Sequence, residues 1–153
     1  MNQYTELLTY IKQLAESDPN VNHVTKGGIG EVDLDKMIIP PVVNISINSG
    51  SFTNGSTVLF SVELACLALR DINKEIRTDD FWLQDNEVDN LNETLAILNR
   101  IWTKMLKDFE KRNITSSENP TFNAIIFGTA KIMDGWVLDF DVELPNTTLN
   151  LCQ

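Results

Sequence analysis

The chain has 153 residues, 42% hydrophobic and 22% charged, enough for one domain with a substantial core and too apolar for a disordered segment. Twelve basic against twenty-two acidic residues give a net charge of −10, the wrong sign for unaided binding to nucleic acid or an anionic membrane. No apolar run approaches the ~18 residues of a membrane span, and the opening Met1-Asn-Gln-Tyr-Thr-Glu shows neither a basic n-region nor an apolar h-region, so no secretory signal is expected.

Tyr4, Leu7, Leu8, Ile11, Leu14 and Ala15 recur at helical spacing, which predicts an amphipathic helix over residues 3–17, capped by Asn2 and stopped by Pro19. Residues 21–26 read as a short strand ending at Gly27-Gly28. Glu31, Asp33 and Asp35 then alternate with Val32 and Leu34, so in an extended segment all three carboxylates share one side. Such a row can do acid–base work or hold a hard cation. Same-side neighbours on a strand are almost 7 Å apart, however, and nothing nearby completes a metal shell. A solvated or subunit-contacting edge is the preferred reading. The glycines of Gly27-Gly-Ile-Gly30 lack the Gly-Lys-Ser/Thr ending of a phosphate loop.

After Pro40-Pro41, residues 42–48 predict a strand with Val43, Ile45 and Ile47 on one side, and residues 49–55 a hairpin connection with Phe52 near its tip. Residues 57–69 form the longest strand candidate. Its second half is apolar on both sides, which predicts cover on both faces there. Residues 70–86 show no period and carry Phe81-Trp82-Leu83, an aromatic group suited to an interface anchor or to folding back on the core. Asp85 or Asn86 can cap a long helix over 87–111, whose apolar stripe runs from Val88 through Leu95 and Trp102 to Phe109. Residues 113–120 are expected to link, 122–132 to form a strand, and Asp134-Gly135 to turn a hairpin. In the last strand Trp136, Leu138, Phe140, Val142 and Leu144 alternate with an acidic row of Asp139, Asp141 and Glu143. Pro145 closes it, and a short tail follows.

The order helix, strands, long helix, hairpin predicts an α+β fold: an antiparallel sheet of about four to five strands, with the N-terminal helix and the long helix on one face. Residues 1–153 read as a single domain. The two cysteines, Cys66 and Cys152, allow one disulfide at most, and Cys66 in an apolar strand is expected to be a buried thiol. One histidine, His23, and no Cys-x-x-Cys leave no zinc set, and His23 has no nucleophile motif to serve. No catalytic residue, cofactor or metal is therefore expected. The five Asn-x-Ser/Thr sequons, at Asn44, Asn54, Asn92, Asn113 and Asn146, reflect an Asn-rich composition.

The order of several pieces resembles a family of tailed-bacteriophage virion proteins: tail-terminator, tail-completion and head-to-tail connector (neck ring) proteins. The pieces are Val21-Asn-His-Val24-Thr25 before Gly27, and Ile29-x-Glu31-Val32-Asp33-Leu34-Asp35-Lys36. They continue through the proline break before residues 42–48, the strand at 58–69, and Asp85-Asn86-Glu87 leading into Leu91-Asn92-Glu93. They end with Gly135-Trp136 and with Leu144-Pro145-Asn146 before Cys152. Pro40-Pro41 and Gly28-Ile-Gly30 depart from the family pattern and bear on loop shape. The resemblance covers most of the chain and implies a structural protein with no catalytic residues. It implies a homo-oligomeric ring of about six or twelve subunits, contacting portal, adaptor or tail proteins, with no membrane partner. DNA passes through the lumen without specific binding. The place is the neck or tail of the virion, assembled in the host cytoplasm. Subunit contacts are expected at Glu31, Asp33, Asp35, Phe52, Phe81, Trp82, Leu83 and Pro145. The alternative is a small cytoplasmic α+β binding module without catalysis.

Overall fold

The computed structural model describes residues 3–29, 38–53, 55–71, 86–126 and 133–146. Buried Gln3, Leu7, Ile11 and Ala15 fall every fourth residue along α1 (Gln3–Glu16), one stripe of a 3.6-residue helix. The expected helix is thus present and ends just before Pro19. β1 (His23–Lys26) follows and pairs with β2 (Val42–Thr53) in parallel, His23 opposite Val42 and Lys26 opposite Ile45. The expectation of a purely antiparallel sheet is corrected here. Residues 27–41 supply the dozen or so positions that a parallel crossover requires.

β2 and β3 (Thr57–Leu69) form a longer hairpin than the sequence predicts. Pairing continues to Thr53 opposite Thr57, with one register shift between Ile47 and Ser49. Asn48 is the extra residue of that bulge, which re-aims the outer half of the strand. Ser, Asn and Gly over residues 48–55 read as loop by composition, but a full-length partner strand holds most of them extended. The expected long helix is α2 (Glu87–Arg112). It closes on Asn113 in the left-handed region at φ 54°, where the Ile114 amide donates back to the Phe109 carbonyl at 2.9 Å. Asn86 precedes the helix without capping it through its side chain. That side chain instead accepts from the Asp71 amide at 2.7 Å. Asp85 lies outside the described residues.

β4 (Thr115–Ser116) lies within the stretch expected to be linker, and β5 (Thr121–Ile125) opens the strand expected over 122–132, of which residues 127–132 lie outside the described residues. β6 (Met133–Pro145) takes in both Asp134 and Gly135, so no turn forms at that pair. Gly135 is required for close packing instead: a Cβ there would stand 1.8 Å from the Cys66 carbonyl oxygen. Among the described residues the sheet has six strands and runs β1-β2-β3-β6, with β4 and β5 end to end along the outer edge of β6.

α1 and α2 cover one face. Leu7, Ile11, Val43, Ile45, Leu64, Cys66, Ile101, Met105 and Phe140 share that core. α1 sits over β1 and β2, and α2 over β3 and β6. On the opposite face a smaller cluster of Ile38, Val42, Leu67 and Met133 covers the inner end of the strands. That is the two-sided burial expected for the second half of β3.

Candidate functional site

Two of the predicted contact residues meet at one end of the sheet. Phe52 pairs with Val58, Val58 with Leu144, and the adjacent Thr57 with Pro145. This end is an arm formed by β2, β3 and the last residues of β6. Its tip turns at Gly55, whose φ of 71° suits a residue without a Cβ. The Asn146 amide donates to the Ser56 carbonyl at 2.7 Å and locks β6 onto the turn. The Pro145 carbonyl accepts from the Gln3 side chain, and the Tyr4 and Phe60 rings meet edge-on at 6.4 Å, so the start of α1 braces the arm. Phe52 gains no such cover and is 72% exposed. No charged residue occurs from position 37 to 62, although more than a fifth of the chain is charged. Glu31, Asp33, Asp35, Phe81, Trp82 and Leu83 lie outside the described residues.

The face opposite α1 and α2 carries the predicted acidic row. Glu63 stands directly opposite Asp139, and Ser61 opposite Asp141. Burial, then the Asp139 charge, raises the Glu63 carboxyl above the usual range. Ser61 Oγ donates to Asp141 Oδ1 at 2.6 Å, and the Asp141 amide donates to Ser117 Oγ at 2.7 Å. These groups, with Asn48 and Asn119, line an open concavity of about 320 Å³. Among the described residues no three His, Cys, Asp or Glu side chains are placed to hold a metal ion. The face can accept hydrogen bonds and repel phosphates.

The most concentrated electrostatics sit at the other end of the strands, where the sequence shows no signal beyond a lone arginine after an apolar run. Arg70, at the end of β3, donates through Nε and Nη2 to both oxygens of Asp134 at 2.8 and 2.7 Å. Its Nη2 also reaches Glu87 Oε2 at 2.6 Å. Both Arg70 and Asp134 are buried. Asn90 adds a hydrogen bond to the Leu69 carbonyl at 3.0 Å. This cluster ties β3, β6 and the start of α2 together. Asp134 reads as a turn residue in sequence because Asp-Gly is a strong hairpin signal; its buried partner is 64 positions away.

Cys66 is buried, with its thiol pushed up by desolvation, so it is inert. His23 is exposed at the start of the edge strand β1. Asn44, one of the sequons, is buried and donates to the Gly27 carbonyl at 2.9 Å. Among the described residues no helix is long and apolar enough to cross a membrane. No family model matches the chain, and no curated protein matches it.

Proposed function

We propose that the protein is a structural component of a tailed-bacteriophage virion. It forms a ring in the head-to-tail connector or at the tail end, and DNA passes through that ring. The observation that carries this reading is a sheet open at both edges among the described residues and drawn out into an exposed arm whose β2 and β3 strands carry no charge up to Val62. On one side β1 covers β2 only as far as Ile45, so among the described residues the outer edge of β2 from Ser46 to Thr53 has no partner strand. On the other side β4 and β5 end the sheet. Open edges of this kind are surfaces for association. Two unlike edges on one chain suit head-to-tail contacts, which close into rings. The net charge of −10 and the acidic face suit a lumen that lets DNA slide, because repelled phosphates release no counterions. The order of motifs shared with connector and tail-terminator proteins points the same way. The neighbours in this reading are portal, adaptor or tail proteins, the location is the virion, and the role involves no catalysis.

A small cytoplasmic binding module is the second reading. It is favoured by a hollow of about 320 Å³ between α1 and β1, floored by Leu8, Val24 and Ile45 and rimmed by Lys12 and Lys26. Absolute mass by light scattering over a wide concentration series separates the two. A closed species of about six or twelve 17.3 kDa subunits is the expected result. A monomer at every concentration, also in the presence of portal or tail-tube rings, would sink the ring reading.

A further inference from the structure

A second unpartnered surface lies diagonally across the sheet from the arm. Val88, Leu91, Leu95, Trp102 and Leu106 line the side of α2 that faces away from α1. Val88 is 37% and Leu106 40% exposed, large values for apolar side chains on a packed helix. The α1 side of α2 is polar by contrast: Arg100 donates to Asp18 at 2.7 and 2.9 Å, and Tyr10 donates to Asp108 at 3.0 Å. Beyond α2, no helix covers β5 among the described residues. Phe122 on β5 is 52% exposed, and its ring packs on Trp136 at 5.4 Å. Between helix and strand is a groove of about 130 Å³ lined by Leu95, Leu98, Trp102, Pro120, Phe122 and Leu138, with Asn99 at its rim. Its floor is held firmly: Trp136 Nε1 donates to the Leu91 carbonyl at 2.9 Å, and the Trp102 and Phe140 rings meet at 5.0 Å.

We infer that this groove receives the arm of a second copy of the chain, with Phe52 as the inserted side chain. The inference rests on the ring reading in taking the partner to be another copy. Three observations select that occupant. The first is charge. Two copies at −10 repel each other, yet β2 and β3 of the arm carry no charge up to Val62, and no charged residue stands at positions 88, 91, 92, 95, 99, 102 or 106 of the groove side. Glu143 on β6 is held by Thr57 at 2.5 Å and alternates to the face opposite Leu144 and Phe52. Contact through Phe52 therefore meets neither like-charge repulsion nor the desolvation of an ion. The second is size. A dry apolar cavity of roughly 150 Å³ takes up benzene, and the groove offers about 130 Å³ with an open mouth for the chain that bears the ring. The third is reach. Phe52 aligns through Val58 with Leu144 of β6, whereas Phe122 aligns with Leu138. Six residues along β6 and three strand spacings separate them, about 20 Å by about 14 Å. A chain therefore cannot fill its own groove. Knob and groove are different surfaces, so the contact is head-to-tail, and repeating it propagates around a ring.

Disulfide trapping tests this, in a Cys152→Ser background that leaves only the buried Cys66. Chains carrying Phe52→Cys are mixed with chains carrying Asn99→Cys and oxidised mildly. The expected result is a cross-linked dimer in the mixture and no comparable product from either chain alone. Equal cross-linking of Phe52→Cys with itself, or of Asn99→Cys with itself, would show a two-fold contact and overturn the inference. Absence of product in all three samples would overturn it as well. In the same background Phe52→Ser weakens self-association about thirtyfold, the scale of an interface hot spot, while Phe52→Leu largely restores it. Failure of this contact is distinguishable from failure of the ring. Wild-type chains that close at six or twelve without the cross-link discard the groove and keep the ring. A double variant that cross-links only into open ladders keeps the groove and discards the ring.

Discussion

The two ends of the β2–β3 hairpin are built on opposite principles. At the base, next to Arg70, the strands are covered on both faces, and a buried cation is shared by two carboxylates. At the tip the backbone ladder continues, but the last residues of β2 are exposed and Phe52 lies open. Backbone pairing is therefore not what distinguishes a stabilising region from an exposed one here; both ends have it. Side-chain cover is the difference. A sheet end without cover contributes little to stability and leaves its side chains available to another molecule.

Substitution at the base should be the most damaging. Asp134→Ala takes from the buried Arg70 guanidinium the carboxylate that accepts two of its hydrogen bonds, which costs about 3–5 kcal/mol. Urea denaturation measures this as a lower midpoint at unchanged slope. Replacing Arg70 by Met as well should recover part of the loss, because the penalty comes from the buried charge. A loss in the double variant equal to that in Asp134→Ala would mean that the cluster acts only as packing. Gly135→Ala follows at about 3 kcal/mol, the upper end of overpacking, since the new methyl meets the backbone of Cys66. The same Gly→Ala change at Gly28, where an added Cβ meets nothing within 4 Å, should be nearly silent.

The base is also where the sequence is hardest to read. Helical and alternating periods give α1, α2 and the strands because each is a local repeat of burial: Leu7, Ile11 and Ala15 along one helix, Leu138, Phe140 and Val142 along one strand. Local patterns cannot show that Asp134 faces Arg70, nor that Gly135 lies against Cys66, since both facts belong to the pairing of distant strands. The same blindness explains the parallel β1, whose direction is set by the crossover and not by its own four residues. Of the arm, the sequence shows the hairpin around Phe52 and the strand end at Pro145. The groove between α2 and β5 was not legible, because Leu95 and Trp102 belong to the same periodic stripe as the core residues, and only the tertiary arrangement shows which of them remain uncovered.

The face opposite α1 and α2 lies between these extremes, and its Glu63 and the helix-side Asp18 give opposing pH effects. Glu63 opposite Asp139 is a cross-strand like-charge pair, so Glu63→Gln should stabilise by about 0.5 kcal/mol at neutral pH. The folded state holds the Glu63 proton to higher pH than the unfolded chain does. The wild-type penalty is thus present above the folded pKa and relieved as pH falls through it, so the gain from Gln should shrink in acid. Asp18 works in the opposite sense. The hydrogen bonds from Arg100 lower its pKa, so its contribution is complete above the unfolded carboxylate range and is lost as pH falls through the folded value. Asp18→Asn should therefore flatten the acid limb of the stability curve, while Glu63→Gln steepens it. Parallel curves for both variants would refute these assignments.

A small stability change is expected at the tip, where it sharpens the contrast most. Phe52 is mostly in water within one chain, so Phe52→Ser should shift unfolding by no more than about 0.5 kcal/mol. If the arm serves another copy, the same substitution must lower self-association while leaving the monomer's denaturation curve in place. A large loss of monomer stability would place Phe52 with Arg70 and Asp134 as a residue of the fold, and the difference between the two ends would disappear. An unchanged curve together with unchanged association would leave the arm without a role in assembly. Only the combination of intact folding and weakened association marks it as a contact surface, because the interface is then the one place where the ring leaves water.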